Sequence, residues 1–116
     1  MKAEIRGYSL TENEDLSSYE PNEQQMFSFT LLFEIGIQGQ KGSDFFEVDI
    51  ASPAFLERLA SQPLFLRHTI LATDYNIPAA VALVHKYVEA LEEDSWEKLA
   101  SKISRVARWE FEDYRG

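Results

Sequence analysis

Apolar and polar residues alternate most regularly between Met26 and Ile37. Phe27, Phe29, Leu31, Phe33, Ile35 and Ile37 stand against Ser28, Thr30, Leu32, Glu34 and Gly36. A period of two sustained over this length predicts a strand with one wholly apolar face. The alternation resumes from Asp44 to Ile50, with Phe46, Val48 and Ile50 on one side and Phe45, Glu47 and Asp49 on the other. Gly39-Gln40-Lys41-Gly42 separates the two runs and supplies a turn. Two such strands joined by a short glycine-containing loop predict an antiparallel hairpin.

The flanking segments complete the outline. Lys2 to Leu10 carries a weaker strand pattern. Residues 11–25 hold Glu12, Glu14, Asp15, Glu20 and Glu23 with no basic residue among them, around Pro21-Asn22, and predict a solvated surface loop. Ser52-Pro53 offers an N-cap residue followed by proline at the first helical position, opening a short helix through Phe55, Leu56 and Leu59 to near Ser61. Leu64 to Thr73 reads as a further strand, with Leu64, Leu66, His68 and Ile70 on one face. Asp74 and Asn76 mark a break, and Pro78 opens a helix expected to run to about Glu93, with Ala80, Val84, Tyr87, Val88 and Leu91 at helical spacing. A last helix begins at Ser95 and lines Trp96, Leu99, Ala100, Ile103 and Val106 along one face. Asp94 and Glu97 near its start, and Lys102, Arg105 and Arg108 near its end, suit the helix dipole. Strands followed by helices predict an α+β domain, a mainly antiparallel sheet of about four strands with two C-terminal helices and one short helix packed on one face. Val84, Leu91, Trp96 and Ile103 are expected to cover the apolar face of 26–37.

Composition narrows the class. The 116 residues fit a single domain spanning 1–116. An apolar share of 45 % excludes a disordered chain. Twenty acidic against eleven basic side chains give a net charge of -9, which argues against nucleic acid and anionic membrane as partners and favours a basic one. The absence of cysteine excludes disulfides, thiolate metal sites and cysteine nucleophiles. No apolar core of signal-peptide length opens the sequence, and the longest apolar run, Ile77 to Val84, is too short for a bilayer. A cytoplasmic protein is the expectation.

Little in the chain suggests catalysis. His68 and His85 are the only imidazoles, the first expected in the core or at a sheet edge and the second exposed. There is no His-Glu-x-x-His, paired-His or aspartate-rich calcium pattern, so neither a metal nor another cofactor is expected. Gly36, Gly39 and Gly42 lack the Gly-Lys-Ser/Thr step of a phosphate loop. Glu34, Glu47 and Asp49 could face one another across the hairpin, where solvated carboxylates are the expectation. The C-terminal Trp109-Glu110-Phe111-Glu112-Asp113-Tyr114 interleaves aromatic and acidic side chains. Either the aromatics tie this tail to the sheet, or they form an acidic, aromatic surface that receives a basic protein.

Three stretches together resemble the immunity protein 8 family of bacterial polymorphic toxin systems. They are Phe27-Ser28-Phe29 through Ile37 with Gly42-Ser43-Asp44-Phe45-Phe46-Glu47-Val48; Ser52-Pro53 with the apolar residues after it; and Ser95-Trp96-Glu97-Lys98-Leu99-Ala100 continuing to the terminal Trp-Glu-Phe-Glu-Asp-Tyr run. The terminal run is the most specific of these. The family pattern places a glycine just before it, where this chain has Val106-Ala107-Arg108, so the last helix is expected to run on into the motif. The resemblance implies a cytoplasmic, non-catalytic antidote that binds the C-terminal domain of a cognate toxin, such as a nuclease with a basic cleft, and whose own state is monomer or homodimer. Charge then nominates three groups of contacts: Glu12, Glu14 and Asp15; Glu92, Glu93 and Asp94; and Glu110, Glu112 and Asp113. Two alternatives stand beside it: an acidic adaptor or nucleic-acid mimic with no toxin, and a small enzyme using Glu34, Glu47, Asp49 or His68.

Overall fold

The two regularly alternating runs form the middle of the sheet. The computed structural model describes residues 1–11 and 26–112. The elements run β1 (Ala3–Leu10), β2 (Ser28–Ile37), β3 (Asp44–Ala51), α1 (Pro53–Leu59), β4 (Thr69–Leu71), α2 (Ile77–Glu89), α3 (Trp96–Ile103) and β5 (Arg108–Trp109). The sheet order is β1-β2-β3-β4, with β5 also pairing with β3. Pairing is antiparallel except between β3 and β4. The α+β class and the hairpin read from the sequence are both present.

Period-two patterning places the core. Phe27, Phe29, Leu31, Phe33 and Ile35, with Phe46, Val48 and Ile50 of β3, are buried against Ala80, Val81, Val84 and Val88 of α2 and Leu99, Ala100 and Ile103 of α3. Each large side chain contributes roughly 1.5–3 kcal/mol on leaving water, so this layer dominates stability. Leu91 and Trp96 pack on it half-buried. α1 contributes no buried side chain.

β1 keeps its apolar phase by a bulge. Ala3 and Ile5 pair with Ile37 and Ile35, whereas Tyr8 and Leu10 pair with Phe33 and Leu31, and the register shifts between Ile5 and Gly7. The extra residue brings Tyr8 and Leu10 back to the side of Ala3 and Ile5. Arg6, at the shift, reaches over the β2–β3 turn. Its guanidinium donates to the carbonyls of Ile37, Gln40 and Gly42 at 2.8, 2.5 and 3.0 Å and to Glu4 at 3.0 Å. Gly36 lies beneath this clamp: a Cβ there would clash with the Gly42 carbonyl. Gly39 and Gly42 take positive φ in the turn.

Ser52 joins sheet to helix. Its buried hydroxyl accepts from the N–H of Phe55 at 3.2 Å as the N-cap of α1, and from the N–H of Phe27 at 3.0 Å ahead of β2.

Several expectations are corrected. The strand read over Leu64–Thr73 contracts to Thr69–Leu71. His68 has a φ of 58°, in the left-handed region, which interrupts the extended run. Every residue from Glu57 to Arg67 is exposed, so Leu64 and Leu66 do not form one strand face with His68 and Ile70. α2 ends at Glu89 rather than Glu93, with Ala90 as its C-cap, because the chain turns to bridge Glu92 with Lys2. The last helix does not run into the terminal motif. It stops at Ile103; Ser104 caps it, Ala107 is buried in the core, and Arg108–Trp109 adds a strand to β3. The acidic loop expected over 11–25 lies, Thr11 apart, outside the described residues; the Thr11 N–H donates to Thr30 at 3.0 Å.

Candidate functional site

The terminal motif is tied down at the start of β3. Asp44 Oδ2 accepts from both indole N–H groups, Trp96 at 3.0 Å and Trp109 at 2.9 Å. Phe46 stacks on Trp109 with centroids 6.2 Å apart and meets Trp96 edge-on at 6.3 Å. Glu110 closes the strand reciprocally: its N–H donates to the Phe45 carbonyl at 3.0 Å and its carboxylate accepts from the Phe45 N–H at 2.6 Å. Of the two readings of this segment, the tie to the sheet is realised by Trp109 and Glu110. Phe111 remains exposed.

The nominated carboxylates fall into separate groups. Glu92, Glu93 and Asp94 form a corner between α2 and α3, held by the N-terminus: the Met1 ammonium donates to the Glu93 carbonyl at 2.7 Å, and the Glu93 N–H donates to the Met1 carbonyl at 3.1 Å. The Glu93 carboxylate pairs with Lys102 and Asp94 pairs with Lys98 at 3.0 Å. Glu92 is exposed. Because Trp96 follows this corner and reaches Asp44, the corner and Glu110 flank the same end of β3. Glu112 lies apart. One of its oxygens takes Arg67 at 3.1 Å, while Oε1 is buried without a hydrogen bond, 3.9 Å from His68 Nε2. Glu12, Glu14, Asp15 and Asp113 lie outside the described residues.

The groups considered for catalysis are engaged structurally. Glu47 and Asp49 both contact Arg108 at 3.4 Å, and Asp49 also accepts from Thr30 at 2.8 Å. Burial works against the Arg108 charge, but hydrogen bonding and attraction from Asp49, and attraction from Glu47, hold its pKa above the ordinary value. Glu34 accepts instead from Ser43 at 2.7 Å, so the three carboxylates do not share one cluster. His68 is buried, as expected of a core or edge histidine, with Nε2 2.8 Å from the Ser104 carbonyl. A carbonyl only accepts, so Nε2 carries the proton. His85 is 41 % exposed beside Glu89 at 3.5 Å. Among the described residues no three His, Asp or Glu side chains are gathered to hold a metal ion, and no helix is long and apolar enough to cross a membrane.

A surface that the charge pattern does not reveal lies along β4, on the same side of β3 as β5. The exposed strap 57–67 carries Leu64, Phe65 and Leu66, with Phe65 97 % exposed. Beside it, Leu71 of β4 and Leu83 of α2 are 62 % and 53 % exposed. Between strap, β4 and α2 runs a groove of about 580 Å³, floored by Val48, Ile70, Val84 and Val106 and flanked by Arg67 and Arg105. Large apolar groups gathered on a surface mark interaction sites far more often than solitary ones do. The signal was available in the sequence. A half-buried strand over 64–73 would place a polar residue between Leu64 and Leu66, and Phe65 stands there.

The model of the family described as Immunity protein 8 aligns with residues 3–114. No curated protein and no solved structure matches the chain. The match begins in β1, takes in the central hairpin and the Asp44–Trp96–Trp109 node, and ends with the last residue of the terminal motif, so this chain belongs to the immunity protein 8 family, whose members are immunity proteins of toxin systems.

Proposed function

We propose that the chain acts in the cytoplasm by binding the C-terminal domain of a cognate toxin and holding it inactive, without catalysis. The family match over 3–114 is the observation that carries this reading. Charge gives it physical content. A net charge of -9 suits a basic toxin domain, such as a nuclease whose cleft accepts phosphates. Exposed carboxylates speed encounter between oppositely charged partners, and this contribution fades as salt screens it. Contacts proposed on this ground are Glu12, Glu14 and Asp15, the Glu92-Glu93-Asp94 corner, and Glu110, Glu112 and Asp113. Within the corner, Glu92 is exposed and Asp94 stays open to a partner although it pairs with Lys98, whereas the Glu93 carboxylate is largely covered and engaged with Lys102.

The test is co-expression with the product of the adjacent gene as the candidate toxin domain. The expected result is restored growth and recovery of both proteins as one complex. Growth arrest despite a folded, abundant chain would remove the reading.

A further inference from the structure

β4 and β5 share one edge of β3. Toward that edge β3 turns the backbone of Phe45, Asp49 and Ala51. The Phe45 carbonyl accepts from the Glu110 N–H and the Ala51 carbonyl from the Ala72 N–H, each at 3.0 Å, and the Asp49 N–H donates to the His68 carbonyl at 2.9 Å. β5 sets Trp109 opposite Phe46 and Arg108 opposite Glu47, while β4 sets Thr69 opposite Asp49. Carried back in the same register, β4 would set His68 opposite Val48, Arg67 opposite Glu47 and Leu66 opposite Phe46. Two segments of this chain therefore fit one stretch of β3. Their side chains match as well: a guanidinium faces Glu47 in either pairing, and a large apolar group faces Phe46.

We infer that these two segments exchange: when the terminal motif leaves the sheet, β4 lengthens to Leu66 and takes the place of β5. The alternation of Leu64, Leu66, His68 and Ile70 is the pattern of that longer strand. One backbone angle interrupts it, the left-handed φ of 58° at His68, a conformation unfavourable for a residue with a Cβ. Glu47 keeps backbone partners in either state, Arg108 in one, and the Leu66 carbonyl with the His68 N–H in the other. The chain is long enough. From Ala51 back to Phe46 the sheet runs about 17 Å. The seven residues of α1 cover about 10 Å, and the exposed link from Ala60 to Phe65 can add about 20 Å.

The terminal motif itself restrains the strap. Glu112 takes Arg67 at 3.1 Å and lies 3.9 Å from His68 Nε2. Its departure frees Arg67 for Glu47 and gives water to Glu112 Oε1, which is buried without a hydrogen bond. Leu66, 52 % exposed in the strap, becomes buried on Phe46 as Trp109 departs. Against this stand the bonds of Asp44 to the Trp109 indole and of His68 to the Ser104 carbonyl, which hold the motif docked. Two packings whose contacts offset each other in this way form a switch. Released, Trp109 and Phe111 with Glu110 and Glu112 present an acidic, aromatic surface to a basic partner. That use of the motif rests on the direct-binding reading above, whereas the exchange does not.

The chain has no cysteine, so introduced pairs report the exchange by disulfide formation under mild oxidant. Glu47→Cys with Arg108→Cys reports β5 on β3, and Glu47→Cys with Arg67→Cys reports the lengthened β4. For the second pair we expect a crosslink that forms at least about tenfold faster when Trp109→Ala loosens the motif. Leu66→Asp should slow it at least about tenfold, because a carboxylate resists burial on Phe46. Leu66 is exposed in the strap, so the same substitution should leave the melting curve unchanged. A rate that either substitution leaves unaltered would show a loose strap rather than an exchanged strand and overturn the proposal, as would no crosslink at all between positions 47 and 67. If a cysteine pair fails to fold, amide exchange on the cysteine-free Trp109→Ala chain decides. We expect the Glu47 amide to keep its protection within about threefold while that of Glu110 is lost, and loss at both would overturn the proposal. None of these readouts uses a toxin, so direct binding stands or falls apart from them.

Discussion

Replacing Asp44 with alanine tests whether the terminal motif is held as described. One carboxylate oxygen accepts from two indoles at 2.9 and 3.0 Å, and all three residues are half-buried. A hydrogen bond to a charged group contributes about 1.5–3 kcal/mol, and a donor left unsatisfied costs about 1–3 kcal/mol. Two bonds share one oxygen here and water reaches the site, so the low end applies to each, giving a loss of about 3 kcal/mol for Asp44→Ala. For a chain of this size that lowers the melting midpoint by roughly 10 °C. Asp44→Asn keeps an oxygen able to accept two bonds but loses the charge, and should cost about 1 kcal/mol. Urea unfolding followed by tryptophan fluorescence reads both, since the two indoles at the node are the only tryptophans in the chain. Equal midpoints for the alanine variant and the wild type would refute the node as the anchor of the motif. Equal losses for alanine and asparagine would refute the hydrogen-bond argument.

Three further outcomes follow from the fold and the surface. Ser52→Ala leaves two N–H groups, Phe27 and Phe55, without their acceptor in a buried position and should cost about 2 kcal/mol in the same unfolding assay. Gly36→Ala drives a Cβ into the Gly42 carbonyl and the Arg6 guanidinium, with an expected loss of about 2 kcal/mol and earlier amide exchange in the 39–42 turn. Glu92→Lys with Asp94→Lys should slow association with the toxin domain about threefold to tenfold in stopped-flow mixing at low salt, with the difference disappearing near 0.5 M salt as screening takes over.

The hairpin was legible because its information is local. An unbroken period of two places Phe29, Leu31 and Phe33 on one face, and only one register keeps them there. The caps were legible for the same reason: Ser52 and Ser95 each accept from the N–H three residues on. What escaped depends on contacts distant in sequence. β5 exists because Arg108–Trp109 finds Glu47–Phe46, some sixty residues away, and no nearby residue announces it. The parallel pairing of β4 follows from the crossover through α1, and its shortness from a left-handed backbone at His68 that the residue type does not require. Acidic residues drew the sequence-based choice of contacts because charge can be counted. Leu64 and Leu66 of the exposed strap instead fit a strand pattern with His68 and Ile70. Phe65, standing where that pattern calls for a polar residue, is the local sign against it.

The most direct measurement titrates this chain into a fixed amount of the product of the adjacent gene, as the candidate toxin domain, while the toxin's activity is recorded. Inhibition by stoichiometric binding predicts a linear fall to zero at one equivalent. Activity that persists at excess would contradict direct inhibition, and complete loss far below one equivalent would show turnover, contradicting a non-catalytic antidote.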